Sequence, residues 1–392
     1  MAKRKLPKMK RKLKRAAVLL ILFIAVTTVL SLSFDIAADD GALGPNNLRH
    51  PRAAAVDDAA LAHTPRRVVD TWSRQEYLIV LGILSVDDEA RRTRRDLQRS
   101  TCWRFPGVAT RANEFTGAML VLYVLGRHPS HGYDYSAALL EEAAQWNDVV
   151  ALPMNEGRVT TNKEIGRYGA WGTEVTVGLN RKVYMWFDLA LRLFPNARYI
   201  AKGDDDIFLH VPLFVAHLRL LPHRGIYMGV HGGSSLRENN RSIAVFFMIG
   251  WCYTLSRDVA EALVSYEPLQ RLAHAINATA VAEEFKMFYT NEDVMVGRVL
   301  VNELKYNPML YVKVAAVSLP MTLAMNGGTR RWCLTSMCVH HVQEEDYAAL
   351  MARFGNDTSP VARARRASDE HDIPVVRLTN GRNDFFSVRV EF

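Results

Sequence analysis

Tyr199-Ile200-Ala201-Lys202-Gly203-Asp204-Asp205-Asp206-Ile207-Phe208-Leu209 decides how this chain is read. Three carboxylates stand in a row between two apolar runs. They repel one another, and Asp is a poor strand former. A buried strand that ends in them is unfavourable unless positive charge meets it there. A hard divalent cation with phosphate oxygens as co-ligands supplies that charge, because Mg²⁺ and Mn²⁺ favour carboxylate oxygen. A solvated acidic turn is the plainer explanation for an isolated Asp triplet. The apolar flanks on both sides weigh against it.

Around this stretch the pattern alternates. Tyr77 to Leu84 predicts a buried strand, and the Arg-rich stretch 88–100 a helix. Met119 to Leu125 predicts a second strand, Tyr135 to Trp146 a helix, and Val149 to Leu152 a third strand. Val177 to Phe194 has the spacing of a long helix with Tyr184, Phe187, Leu191 and Phe194 on one stripe, stopped by Pro195. Strands separated by helices of this length imply an α/β fold with a mostly parallel sheet. Ligands bind at the carboxyl ends of such strands, which is where the aspartates fall.

The N-terminus is organised differently. Residues 1–15 carry nine basic residues and no acid, and 16–34 run without a charge. That run is long enough to cross a bilayer, and its basic lead predicts a cytosolic N-terminus with the rest of the chain luminal. A cleaved signal peptide is the competing expectation. The net charge of +8 becomes −1 once those nine residues are set aside, so no excess positive charge remains to recommend nucleic-acid binding. The expected organisation is a tail over 1–15, an anchor over 16–34, a stem over 35–75 and a luminal domain over 76–392. Gly232-Gly233-Ser234-Ser235 reads as a flexible turn. There are four cysteines; Cys333 and Cys338 are near enough in sequence to close a small disulfide, and Cys102 and Cys252 either pair or stay buried.

Three further features bear on chemistry. Asn291-Glu292-Asp293-Val294 begins a helix; acids there cap it and answer its dipole, but a positioned carboxylate is also what activates a weakly nucleophilic sugar hydroxyl. Val339-His340-His341-Val342 brings two imidazoles beside an apolar strand, packing groups by default and nitrogen ligands if Mn²⁺ is present. Arg91, Arg92, Arg94, Arg95 and Arg99 form a charge run that is ordinarily a solvated face and, beside a metal–phosphate site, a candidate for binding anionic phosphate.

Taken in order, these pieces resemble the β-1,3-galactosyl/N-acetylglucosaminyltransferases of glycosyltransferase family 31. Arg94-Arg95-Asp96-Leu97-Gln98-Arg99-Ser100-Thr101-Cys102-Trp103 resembles RRxxIRxTW, with Cys102 inserted. Val121 to Gly126 is similar to VFLLG, and Glu142 with Asp148-Val149-Val150 to E…DII. Lys202 to Leu209 resembles KTDDDVFV. Gly250 to Ala260 resembles GxGYxxSRDVA, with Cys252 replacing the second glycine. Glu292-Asp293-Val294 with Gly297 matches EDVxxG, and Val339-His340 the late VH. The basic tail, the Trp-rich segment Trp171–Trp186 and the KGDDD spelling are most similar to kinetoplastid members.

The resemblance implies a GT-A fold and a Mn²⁺-dependent (alternatively Mg²⁺-dependent) inverting hexosyltransferase. It would move galactose or N-acetylglucosamine from UDP-Gal or UDP-GlcNAc to a glycan on a glycoprotein or glycolipid, from a single-pass Golgi membrane anchor. In that frame Asp206 and His340 (His341 second) are expected to hold the metal. Asp293, then Glu292, is the expected base. Asp204 and Asp205 face ribose and donor sugar or a bridging water, and Arg95, Arg99 and Lys182 lie near nucleotide and diphosphate. A metal-dependent phosphohydrolase and an inactive glycan-binding relative are the alternatives from other classes.

Overall fold

Strands that are apolar at nearly every position need cover on both faces, and two of them, side by side with the strand that ends in the aspartates, form the centre of this fold. The computed structural model describes residues 59–164, 169–238, 241–314, 316–318, 337–360, 363–368, 374–379 and 390–391. In it β1 (Ile79–Leu84) lies between β3 (Met119–Arg127) and β5 (Tyr199–Asp204), parallel to both. Beyond β3 the sheet continues into β2 (Val108–Ala109) and β4 (Val149–Asn155), again parallel. Beyond β5 come β10 (Cys252–Ser256), antiparallel to both its neighbours, then β7 (Ile226–Gly229), β11 (Leu310–Lys313) and β16 (Val390–Glu391). The result is a mixed α/β fold with a mostly parallel nine-stranded sheet, as a GT-A-like architecture requires.

Helices cover both faces. The chain crosses through α2 (Glu89–Ser100), α3 (Ala137–Trp146) and α4 (Thr173–Leu193). Local chemistry sets ends of the first two. Asp88 accepts from the Arg91 N–H at 2.7 Å, Ser136 Oγ accepts from Leu139 N–H at 3.1 Å, and Asn147 ends α3 in the left-handed region at φ 52°. Val80 and Leu84 of β1 face one core with α4, while Ile79, Leu81 and Ile83 face the other. The α4 stripe Tyr184, Phe187, Leu191 and Phe194 is buried as its spacing predicts. A Cβ on Gly82 would stand 2.3 Å from the Trp186 ring, so α4 approaches β1 more closely than any side chain there would allow.

Some expectations need correction. The segment 35–75 is not all stem: α1 (Arg66–Arg74) buries Val68 and Trp72 in the core, so the folded region reaches back past residue 76. Gly232 to Ser235 is not a turn but part of β8 (His231–Glu238), paired along its whole length with β9 (Arg241–Met248). Cys102, Cys252 and Cys338 are buried free thiols; Cys333, the expected partner of Cys338, lies outside the described residues, as do the tail and the anchor. Among the described residues no helix is long and apolar enough to cross a membrane.

Candidate active site

The site is built on the turn that β5 makes after Asp204. Asp205 and Asp206 form the turn, β6 (Ile207–Leu209) follows, and β6 pairs antiparallel with β13 (Cys338–His340), which also pairs with β12 (Ala316–Ser318). The register Ile207↔His340 brings the late histidines against the aspartates. Val342 N–H donates to the Asp206 carbonyl at 3.0 Å, and Arg94 donates to the Val342 carbonyl at 2.6 Å. Gln98 Nε2 donates to the Ile207 carbonyl at 3.0 Å. Helix α2 thus braces the turn from behind.

Above the turn opens a cavity of about 450 Å³. The three aspartates, Glu292, Asp293, His340, His341 and Lys182 all line it. Arg95 and Arg99, expected beside a diphosphate, do not. Arg95 is fully buried in a two-pronged pair with Glu142, at 2.7 Å for each contact, and Arg99 pairs with Asp148 at 2.8 and 2.9 Å. These arginines meet the Glu142 and Asp148 of the sequence motifs and tie α2 to α3 and β4. Arg95 still touches the site at one remove: it donates to Ser85 Oγ at 2.9 Å, and that hydroxyl donates to Asp205 at 2.7 Å. The arginine that does line the cavity is Arg91, 2.7 Å from Asp205. The carboxylate of Asp205 is therefore turned to Ser85 and Arg91.

Asp206 and the two histidines form the metal-capable corner. Their ligand atoms lie within 4.8 Å of one another. His340 Nε2 is 3.1 Å from Asp206 and 3.5 Å from Asp204. Trp251 stacks on the His340 ring at 4.8 Å. His341 adopts φ 58°, an unusual backbone for a residue with a Cβ, and its ring lies 3.9 Å from that of His340. Burial opposes charge on His340, but Asp204 and Asp206 win and raise its pKa to about 9. Burial and the neighbouring His340 push His341 down to about 4. A carboxylate oxygen and two imidazoles around one point are a donor set that could hold a first-row divalent ion.

Across the cavity, α9 (Glu292–Gly297) starts with two buried carboxylates. Asp293 accepts from Gly250 N–H at 2.9 Å and from Val294 N–H at 2.8 Å. Glu292 accepts from Lys202 at 2.5 Å, and its other oxygen is buried without a partner. Burial raises both pKa values, Glu292 to about 8 despite Lys202. Lys202 also donates to Asp204 at 2.6 Å and to the Gly250 carbonyl. A Cβ on Gly250 would lie 2.7 Å from Glu292 Oε1, so a side chain there would displace the tip of that carboxylate. Cys252, which stands where the resembling motif has glycine, is buried and lies directly opposite Gly203 in the β5–β10 register.

Lys202, Ser85 and Gly250 are site residues to which the sequence assigns no role, and of the Arg run named as a candidate phosphate binder only Arg91 lines the cavity among the described residues. Lys202 and Gly250 sit inside the quoted motifs, and Arg91 opens the Arg run.

No protein-family model matches the chain. It is similar to the lactosylceramide 1,3-N-acetyl-beta-D-glucosaminyltransferase of Rattus norvegicus, 24% identical over an alignment of 222 residues that covers 50% of this chain and 51% of that protein. It is also similar to the Xenopus laevis A form, 26% identical over 162 residues, and to the Mus musculus protein, 26% identical over 163 residues; each match spans 35% of this chain and 40% of the relative. Among solved structures, the apo form of mouse xyloside xylosyltransferase 1 aligns over 67% of this chain and 97% of its own, with TM-score 0.30 and 12% identity, a likeness too slight to bear on fold or activity. The chain spans about half the length of the rat relative and less of the others. The sequences it resembles are glycosyltransferases.

Proposed function

We propose that this protein is an inverting hexosyltransferase that takes galactose or N-acetylglucosamine from a UDP-sugar and passes it, with Mn²⁺, to a glycan hydroxyl, a β-1,3 linkage being the expected product. One observation carries the reading. Asp206 and His340, 3.1 Å apart, face the same cavity as a second, buried pair of carboxylates on a separate helix. A cation corner and a separate base are the two parts that sugar transfer from a nucleotide diphosphate needs.

Asp206 with His340 and His341 would hold the metal; when bound, it supplies counter-charge to the departing diphosphate. Asp204 faces the donor, held by Lys202. Asp205 acts through Arg91. Asp293 takes the proton of the attacking hydroxyl, and its two backbone hydrogen bonds fix its direction. Burial raises its pKa, which makes the carboxylate a better proton acceptor.

The test is UDP release from UDP-galactose and UDP-N-acetylglucosamine, with and without a galactoside acceptor, in Mn²⁺ and in EDTA. Acceptor-dependent release with one donor, lost in EDTA, is the expected result. Acceptor-independent hydrolysis of simple phosphate esters would instead support a phosphohydrolase, and glycan binding without turnover an inactive relative.

A further inference from the structure

Among the described residues three Lys or Arg side chains line the cavity: Arg91, Lys163 and Lys182. Two are already matched, Arg91 by Asp205 and Lys182 by Glu156. Lys163 has no carboxylate within ion-pair distance among the described residues. Its ammonium instead lies over the Trp171 ring, 4.6 Å from the centroid, with the Arg91 guanidinium 5.4 Å from the same ring. Burial lowers its pKa, and the anions whose field opposes that effect are Asp204 and Asp206. It therefore looks onto the metal-capable corner without pairing with it.

Its position is built rather than accidental. Thr160 N–H donates to the Trp171 carbonyl at 3.1 Å, and Thr161 Oγ donates to the Ala170 carbonyl at 2.6 Å. Lys163 N–H then donates to Thr161 Oγ at 3.3 Å. Gly172, at φ 111°, permits the crossing, since a Cβ there would meet Thr160 Oγ at 2.0 Å. A half-buried cation without a carboxylate is unfavourable, and an aromatic face offsets part of that. The remaining deficit is one that an anion arriving from solution would relieve.

We propose that Lys163, presented by Trp171, is the counter-charge for the diphosphate of the nucleotide donor. The inference rests on the donor reading above and deepens it. A diphosphate drawn against Asp206 and His340 adds negative charge beside three carboxylates. A cation on its far side must answer that charge, and Arg91 and Lys182 are already engaged. Trp171 acts as a positioning residue for that ammonium.

The experiment measures UDP and uridine binding to the full-length protein in Mn²⁺, for the wild type, Lys163→Met, Lys163→Arg and Trp171→Leu. Lys163→Met is expected to weaken UDP about tenfold, the scale of one charge-assisted hydrogen bond, and to leave uridine unchanged. Lys163→Arg is expected to restore most of the loss, and Trp171→Leu to show a smaller, UDP-selective one. UDP affinity equal in wild type and Lys163→Met, or an equal loss for uridine, overturns this inference and leaves the donor reading standing. A wild type that binds neither UDP nor uridine overturns both.

Discussion

Lys202 and Glu292 meet at 2.5 Å inside the protein, one at the end of the central sheet and the other at the start of α9. The same ammonium is 2.6 Å from Asp204. One buried cation therefore joins the acidic turn to the carboxylate pair across the cavity. Burial opposes its charge, yet the two carboxylates raise the Lys202 pKa and keep it protonated. Removing it leaves the buried Glu292 and the partly exposed Asp204 without their shared cation. Lys202→Met is expected to cost about 3–5 kcal/mol in urea unfolding, the scale of breaking a buried pair from one side. Adding Glu292→Gln should recover part of that cost. If Lys202→Met alone unfolds at the wild-type urea concentration, the bridge is not structural.

If Asp206 and His340 hold the proposed metal, His340 should make its binding depend on pH. Its folded pKa is raised from 6.5 to about 9 by Asp204 and Asp206, against burial. The protonated ring therefore stabilises the metal-free fold fully below pH 6.5, and that contribution is lost as pH rises through about 9. Mn²⁺ must displace the same proton, so its affinity is expected to rise roughly tenfold per pH unit in this window. Isothermal titration at several pH values reads it directly. A flat affinity over that range would remove His340 from the metal site. Asp206→Ala is expected to abolish Mn²⁺ binding at every pH.

The contact between Gly82 and Trp186 predicts a packing defect. An alanine methyl would stand 2.3 to 2.7 Å from the indole, and overpacking of this kind costs about 1–3 kcal/mol. Gly82→Ala should lower the melting temperature, and Trp186→Phe should be better tolerated in that background than in the wild type. Additive losses in the double variant would mean that the strain lies elsewhere.

What the chain reveals by sequence alone follows from which patterns carry information. Residues 77–84, 119–125 and 199–201 are apolar at successive positions, and only a strand covered on both faces tolerates that. The hairpin of β8 and β9 was hidden for the opposite reason. Gly232-Gly233-Ser234-Ser235 carries no apolar alternation, because much of that strand faces solvent. The acidic turn, the two histidines and the Glu292-Asp293 pair were legible because buried charge is rare enough to mark itself. The arginines were not, since a sequence displays a cation but not the carboxylate it meets. Glu142 lies 47 residues beyond Arg95 and Asp148 lies 49 beyond Arg99, and only the packing of α2 against α3 and β4 brings them together. Arg91, facing the cavity, looks no different from them in the chain.

Asp293 separates catalysis from helix capping. It does not act as the N-cap of α9, a position held by Asn291, which makes no side-chain capping bond. Its two oxygens instead clamp Gly250 N–H and Val294 N–H. In Asp293→Asn the amide keeps one acceptor and turns an NH₂ group towards the other donor, so a loss of about 1–3 kcal/mol in stability is expected. Removing a general base lowers the rate by about 10²–10⁴-fold, far more than that instability explains while the protein remains folded at the assay temperature. Activity per folded molecule is the decisive quantity. Asp293→Asn should lose kcat by at least a hundredfold with UDP affinity unchanged, whereas Glu292→Gln, whose carboxylate is already held by Lys202, should lose less. A larger kcat loss in Glu292→Gln would transfer the base to the buried oxygen of Glu292 that lacks a partner. Wild-type kcat in Asp293→Asn would reduce Asp293 to a clamp between α9 and the Gly250 loop.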